Sequence, residues 1–122
     1  MIAKIILIIL ALQAQILHKQ HIHHGYKAKF IVTGYSPDPR DNGGISQSYF
    51  GRKLHHGTIA VDPKVIPFGS KIYVKGYGYG WAADVGGAIR GKHIDVCLPS
   101  RHDASRWGLR HMTIYIIPKV KF

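Results

Sequence analysis

From Tyr26 to the C-terminus, the chain is a succession of short β-branched runs cut by glycine, proline, asparagine and aspartate. "KFIVTGY" is β-branched and strand-like, and the "SPDPRDNGG" that follows is dense in turn formers. "GTIAV" reads as a strand, and Pro63 and Pro67 in "DPKVIPFGS" exclude a helix after it. "KIYVKGYGYGWAADV" holds two strand-like runs around a glycine-rich turn, and "KHIDVCL" and "RHMTIYIIPKV" supply two more. One helix is expected in "SRHDASRWGL", with Ser100 or Asp103 as its cap and Gly108 near its end. A chain of 122 residues has room for one core. Many short strands around one core protect their edges best by closing into a small barrel.

The acids carry the chemical information. All six are aspartate. Asp38, Asp41 and Asp103 lie in polar, turn-like stretches, where a short acceptor side chain bonds its own backbone and needs no further role. Asp62, Asp84 and Asp95 sit in or beside apolar, strand-like runs, where an unpaired carboxylate is costly. Gly86 and Gly87, in "GGAIRG" between the last two, are expected to allow unusual backbone conformations and close approach of another group. Strand-end carboxylates can thus be gathered on one barrel face.

Charge and composition narrow the partners. Seventeen Lys and Arg against the six acids give +11, which favours an anionic partner: nucleic acid, a membrane surface or an anionic wall polymer. No nucleic-acid-binding motif accompanies that charge. Cys97 is the only cysteine, so no intramolecular disulfide forms, and its strand-like setting reads as a small buried hydrophobe.

The amino terminus reads as an address. Lys4, the apolar "IILIILAL" and the small residues around Ala14 have the layout of a secretory signal peptide over residues 1–14. The apolar run is short of the roughly 20 residues that span a bilayer. A retained interfacial anchor and a buried amphipathic helix are the alternatives. Residues 15–28 read as a basic, His-rich linker, in which His18, His21, His23 and His24 offer metal ligands or a solvated, pH-sensitive charge.

Four ordered segments carry a resemblance: "VTGYSPDP", "GTIAVDPKVIPFGSKIYVKGYG", "AADVGGAIRGKHIDV" and "ASRWGLRHMTIYII". Together they resemble the 3D domain, a family named for three aspartates that includes stationary-phase survival proteins. They also look like the catalytic barrel of membrane-bound lytic transglycosylase A. The resemblance covers about residues 29–118, and residues 29–122 are read as one 3D domain. It implies an all-β fold, a small six-stranded double-psi β-barrel with one short helix near the C-terminus. The activity implied is lytic cleavage of peptidoglycan glycan strands in the cell envelope or outside the cell, with no cofactor and no metal. On that resemblance Asp95 is the catalytic acid, Asp84 its neighbour in the cleft and Asp62 the third aspartate. Thr33, Tyr35 and Thr58, with Gly86 and Gly87, would line the sugar-binding groove. Two departures stand out: Ala83 occupies a position where many members have Glu, and "NGGISQSYFGRKLHH" replaces a Thr-rich segment.

Those residue types suit the chemistry. Breaking a glycosidic bond needs a proton delivered by a carboxylic acid of raised pKa, and neighbouring carboxylates raise it. Ordinary glycosidases need a second carboxylate as nucleophile or base. A lytic transglycosylase instead uses the C6 hydroxyl of muramic acid as nucleophile, so one acid suffices. Three other readings compete: a non-catalytic glycan-binding or expansin-like wall-loosening module, a hydrolase holding Mg²⁺ or Ca²⁺ on the three aspartates, and a nucleic-acid-binding protein. The aromatics Tyr77, Tyr79 and Trp81 read as barrel packing, and Trp107 as the core-facing residue of the helix.

Overall fold

A computed structural model of the chain describes residues 1–22 and 25–119. Its centre is a six-stranded closed barrel: β1 (Tyr26–Tyr35), β2 (Thr58–Ala60), β3 (Lys71–Val74), β4 (Gly78–Asp84), β5 (His93–Cys97) and β6 (Leu109–Ile117). Around the barrel the order is β1-β5-β2-β4-β3-β6, and β6 closes antiparallel on β1. The pairs β1–β5 and β2–β4 are parallel; the others are antiparallel.

The period-two pattern of the sequence produces the core directly. Val32, Ile72, Val74, Ile94, Val96, Ile114 and Ile116 alternate with outward residues and are almost wholly removed from water. Ile66, from the loop between Pro63 and Pro67, is wholly buried in the same core. Gly80 faces inward on β4, where an added Cβ would stand 2.7 Å from the Gly57 carbonyl oxygen, so only glycine lets β4 lie this close to β2.

Helix α2 (Arg101–Trp107) packs on β1. Ser100 caps it, accepting from the Asp103 amide at 3.1 Å and donating to Asp103 Oδ2 at 2.8 Å. Gly108 ends it at φ 66°, in the region that glycine enters without strain. Trp107 lies buried against Tyr77, and its indole donates to the Val32 carbonyl at 3.2 Å.

The described fold holds two α-helices, where one was expected. The second, α1 (Ile2–Ile22), runs through Ala14 and into the His-rich stretch, and β1 begins at Tyr26, inside the segment read as linker. Leu, Ala, Lys and Gln, which lose little side-chain freedom in a helix, make up more than half of α1 and outweigh the weaker helix preference of its β-branched Ile residues. The side chains of residues 1–16 are exposed. No described helix is long and apolar enough to cross a membrane. Of the histidines offered as metal ligands, His23 and His24 lie outside the described residues.

Candidate active site

One cross-strand row builds the site. Asp95 on β5 pairs with Thr33 on β1 at one side and with Ala60 on β2 at the other, and Ala60 pairs with Asp84 on β4. Asp84 and Asp95 therefore stand two strands apart, with the smallest chiral side chain between them. At about 4.8 Å per strand, their backbones are about 10 Å apart. The space over Ala60 is a cleft of about 480 Å³, lined among others by Tyr35, Asp41, Tyr49, Asp84, Gly86 and Asp95. The β2–β4 register shifts between Ile59 and Ala60, which skips Ala83 and brings Asp84 level with Ala60.

Asp84 is buried and fully bonded. The Tyr35 hydroxyl donates to its Oδ2 at 3.0 Å, and the amides of Tyr49 and Val85 donate to its Oδ1 at 2.9 Å each. Those donors hold the carboxylate still and anchor the long loop before β2. Burial and the adjacent Asp84 carboxylate push the Tyr35 phenol far above its usual range, so it remains a donor.

Asp95 is held differently. Among the described residues its one side-chain hydrogen bond is from the Thr33 hydroxyl, to Oδ1 at 3.1 Å, and the Thr33 oxygen also lies 2.9 Å from His93 Nε2. Burial pushes the Asp95 carboxyl up to about 6; the Thr33 bond opposes this, while the charges of Asp84 and Asp41 add to it. A group of this kind holds its proton in mildly acidic solution and releases it near neutrality, as a general acid and base must.

Asp62 lies elsewhere. Its Oδ1 accepts from the Lys64 amide at 3.0 Å and its Oδ2 from the Gly91 amide at 2.9 Å, tying the turn after β2 to the loop before β5. These bonds hold its carboxyl below the usual range. The three aspartates thus form no single centre and no shared set of cation ligands. Among the described residues, no three His, Cys, Asp or Glu side chains gather as a metal site.

Other expected positions divide. Tyr35, Gly86 and Gly87 line the cleft, whereas Thr58 is buried and accepts from the His55 amide at 3.4 Å, outside the lining. Gly86 and Gly87 adopt no positive φ, contrary to expectation. An added Cβ on Gly86 would meet Ile89 at 2.9 Å, and one on Gly87 would meet open space. Tyr79 and Trp81 do not pack the barrel: both point outward, 53% and 49% exposed, and only Tyr77 is buried.

Asp41, read from sequence as a turn former, is part of the cleft. It accepts from Ser36 Oγ at 2.5 Å and from Arg101 Nε at 2.9 Å, linking the turn after β1 to α2. A smaller recess of about 260 Å³ continues from Asp95 past Asp41 toward Arg101 and Ser105. Tyr49 was missed as well; its ring stacks on Phe68 at 5.3 Å and meets Phe50 edge-on at 5.2 Å. The adjacent aromatics "YF" within a polar loop were the available signal.

Residues 57–118 match the 3D domain family. The chain belongs to that family. The chain is 58% identical over 59 residues to the cell wall-binding protein YocH of Bacillus subtilis (strain 168), covering 48% of this chain and 21% of YocH. It is 56% identical over 59 residues to the putative cell wall shaping protein YabE of the same organism, covering 48% of this chain and 14% of YabE. The chain therefore spans about a fifth or less of the length of these two relatives. A crystal structure of MltA from E. coli aligns with 57% of this chain and 26% of its own, at TM-score 0.46 and 23% identity.

Proposed function

We propose that this 3D domain is a peptidoglycan lytic transglycosylase acting in the cell envelope, with Asp95 as its acid and base. The observation that carries the reading is the setting of Asp95: a carboxyl made weakly acidic by burial, opening on a cleft whose opposite wall holds a second, fixed carboxylate. Membership of the 3D family and the wall-related names of YocH and YabE support the choice of substrate. The paired parallel strands β1–β5 and β2–β4 support the double-psi form of barrel. Residues 1–14 are read as a signal peptide or anchor that brings the domain to the wall.

In the proposed reaction, protonated Asp95 gives its proton to the oxygen linking MurNAc C1 to GlcNAc C4. As that C1–O bond breaks, the GlcNAc end leaves as an alcohol and positive charge develops on the muramyl ring. The Asp84 carboxylate across the cleft favours both the protonated form of Asp95 beforehand and the positive charge afterwards. The muramyl C6 hydroxyl then attacks C1, and its proton passes to the Asp95 carboxylate. A 1,6-anhydro ring forms, the acid is regenerated and no water is consumed. Tyr35, Tyr49, Gly86 and Gly87 form the walls against which the sugars lie in this reading.

The test is incubation of the full chain and its Asp95→Asn variant with purified peptidoglycan, followed by mass spectrometry of the soluble products. Anhydromuropeptides from the wild type alone are expected; reducing-end products, or equal release by both proteins, would sink the proposal. A second reading, a non-catalytic glycan-binding or wall-loosening module, is favoured by the names of YocH and YabE. Retained wall binding without release of products by the wild type would decide for it.

A further inference from the structure

The outer face of the barrel carries an aromatic grid away from the cleft. Tyr115, Tyr73 and Tyr79 are register partners across β6, β3 and β4, and Ile117, Lys71 and Trp81 form the next row. Strand alternation sends these positions outward, opposite the core residues Ile72, Val74, Ile114 and Ile116. Tyr73, Tyr79 and Trp81 are 40%, 53% and 49% exposed. Their arrangement is ordered: Tyr73 and Tyr79 meet at 4.9 Å between ring centres, and Lys71 Nζ lies 4.5 Å over Tyr79 and 6.0 Å from Trp81. Three strands make this surface about 10 Å wide. Three neighbouring aromatic rings held in a fixed arrangement and open to water form a ready contact surface for a partner with flat apolar faces.

We propose that this face is a second glycan-binding surface, on which a wall glycan strand lies with its sugar faces against Tyr73, Tyr79 and Trp81. Pyranose rings present flat C–H faces that fit aromatic rings and equatorial hydroxyls that the tyrosine O–H groups and the Lys71 ammonium can reach. The charge also fits. Lys71 lies within the grid, Lys27 pairs with Tyr115 at its β1 side, and no acid occupies a grid position. Peptidoglycan carries carboxylates at intervals, which two cations suit. A nucleic acid carries a phosphate on every nucleotide and needs a cation-lined groove to follow it, and two lysines beside three tyrosines do not form one. The inference shares its choice of glycan with the proposed function but does not depend on cleavage. A bound strand would keep the domain on the wall while the cleft samples it, and the same face would serve a purely binding module.

The two tryptophans make the face measurable, since Trp81 is exposed and Trp107 is buried. The probe is peptide-free glycan strand released from sacculi by an amidase, titrated into the full chain carrying Asp95→Asn so that the strand stays intact. The quenchable part of the fluorescence should become protected from acrylamide as strand is added. Trp81→Ala with Tyr79→Ala should weaken strand binding about tenfold, whereas Trp81→Phe should retain most of it. An undiminished affinity in the double alanine variant overturns the proposal. So does equal protection by single-stranded DNA, or a dimer in sedimentation that the double variant abolishes while glycan binding is unchanged. Product release by the wild-type chain is scored separately, so failure of the cleft and failure of this face give different results.

Discussion

Thr33 and Asp95 face each other across the parallel β1–β5 pair, and the Thr33 hydroxyl donates to Asp95 Oδ1 at 3.1 Å. A hydroxyl has one proton, and the same oxygen lies 2.9 Å from His93 Nε2 and 3.4 Å from the Ile94 carbonyl. When His93 donates through Nε2, the Thr33 proton is free to serve Asp95 and favours its carboxylate. Thr33→Val removes that donor. A bond worth about 1 kcal/mol corresponds to somewhat less than one pH unit, so the Asp95 carboxyl should titrate higher by that amount. Because the proposed acid step needs protonated Asp95, the alkaline limb of the activity profile should move up with it. Carboxyl NMR titration and the pH profile check the two shifts, and an unmoved titration would remove Thr33 from the machinery.

Asp84 acts on the same group with the opposite sign. Its charge raises the Asp95 carboxyl, so Asp84→Asn should lower the Asp95 titration and shift the alkaline limb toward acid. Tyr35→Phe is a different perturbation. It leaves Asp84 charged and buried without the donor on Oδ2, which should cost about 1–3 kcal/mol of stability. Urea denaturation measures that loss, and an unchanged midpoint with an unchanged slope would contradict it.

The barrel was legible because its signal is local. Ile72, Val74, Ile94 and Val96 announce their inward faces by alternation within a few residues, and Ser100 and Gly108 delimit α2 by ordinary cap chemistry. The cleft is not local. Its row runs through Asp95, Ala60 and Asp84, which meet because β5 inserts between β1 and β2, an order that no short stretch encodes. Asp41 looked like a turn residue because its partners, Ser36 and Arg101, include one on a distant helix. The aromatics misled for a backbone reason. Tyr77, Tyr79 and Trp81 share a parity, but Gly78 turns at φ 107°. Tyr77 therefore goes inside, where its hydroxyl accepts from the Gly57 amide and donates to the Cys97 carbonyl, and the other two go out.

Asp95 should weaken the fold it serves. Its carboxyl titrates near 6 in the folded chain and near 3.9 in an unfolded one. Below about pH 4 both states are protonated and the residue is neutral in its effect. As pH rises from about 4 to 6 the unfolded state ionises first, and stability falls by up to about 3 kcal/mol, less where water reaches the cleft. Asp95→Asn has no such charge to bury. The variant should therefore match the wild type at pH 4 and exceed it at pH 8 by about 1–2 kcal/mol. Denaturation curves at both pH values test this, and a variant less stable at pH 8 would mean that the ionised carboxylate is well solvated.

Asp62 should separate from Asp95 in both stability and activity. It clasps the Lys64 and Gly91 amides and takes no part in lining the cleft. Its carboxyl is held below the usual range, so its contribution is present above about pH 4 and is lost as pH falls through its lower folded value. Asp62→Ala should lower the melting temperature at neutral pH and speed hydrogen exchange at the Gly91 amide. The gap to the wild type should narrow in strong acid. Asp62→Asn, which keeps one acceptor oxygen, should fall between the two. Both variants should still release the same anhydromuropeptides as the wild type, at rates reduced only as far as the Gly86–Gly91 loop is loosened. Loss of product as complete as in Asp95→Asn, with melting temperature unchanged, would return Asp62 to the chemistry and overturn its role as a clasp.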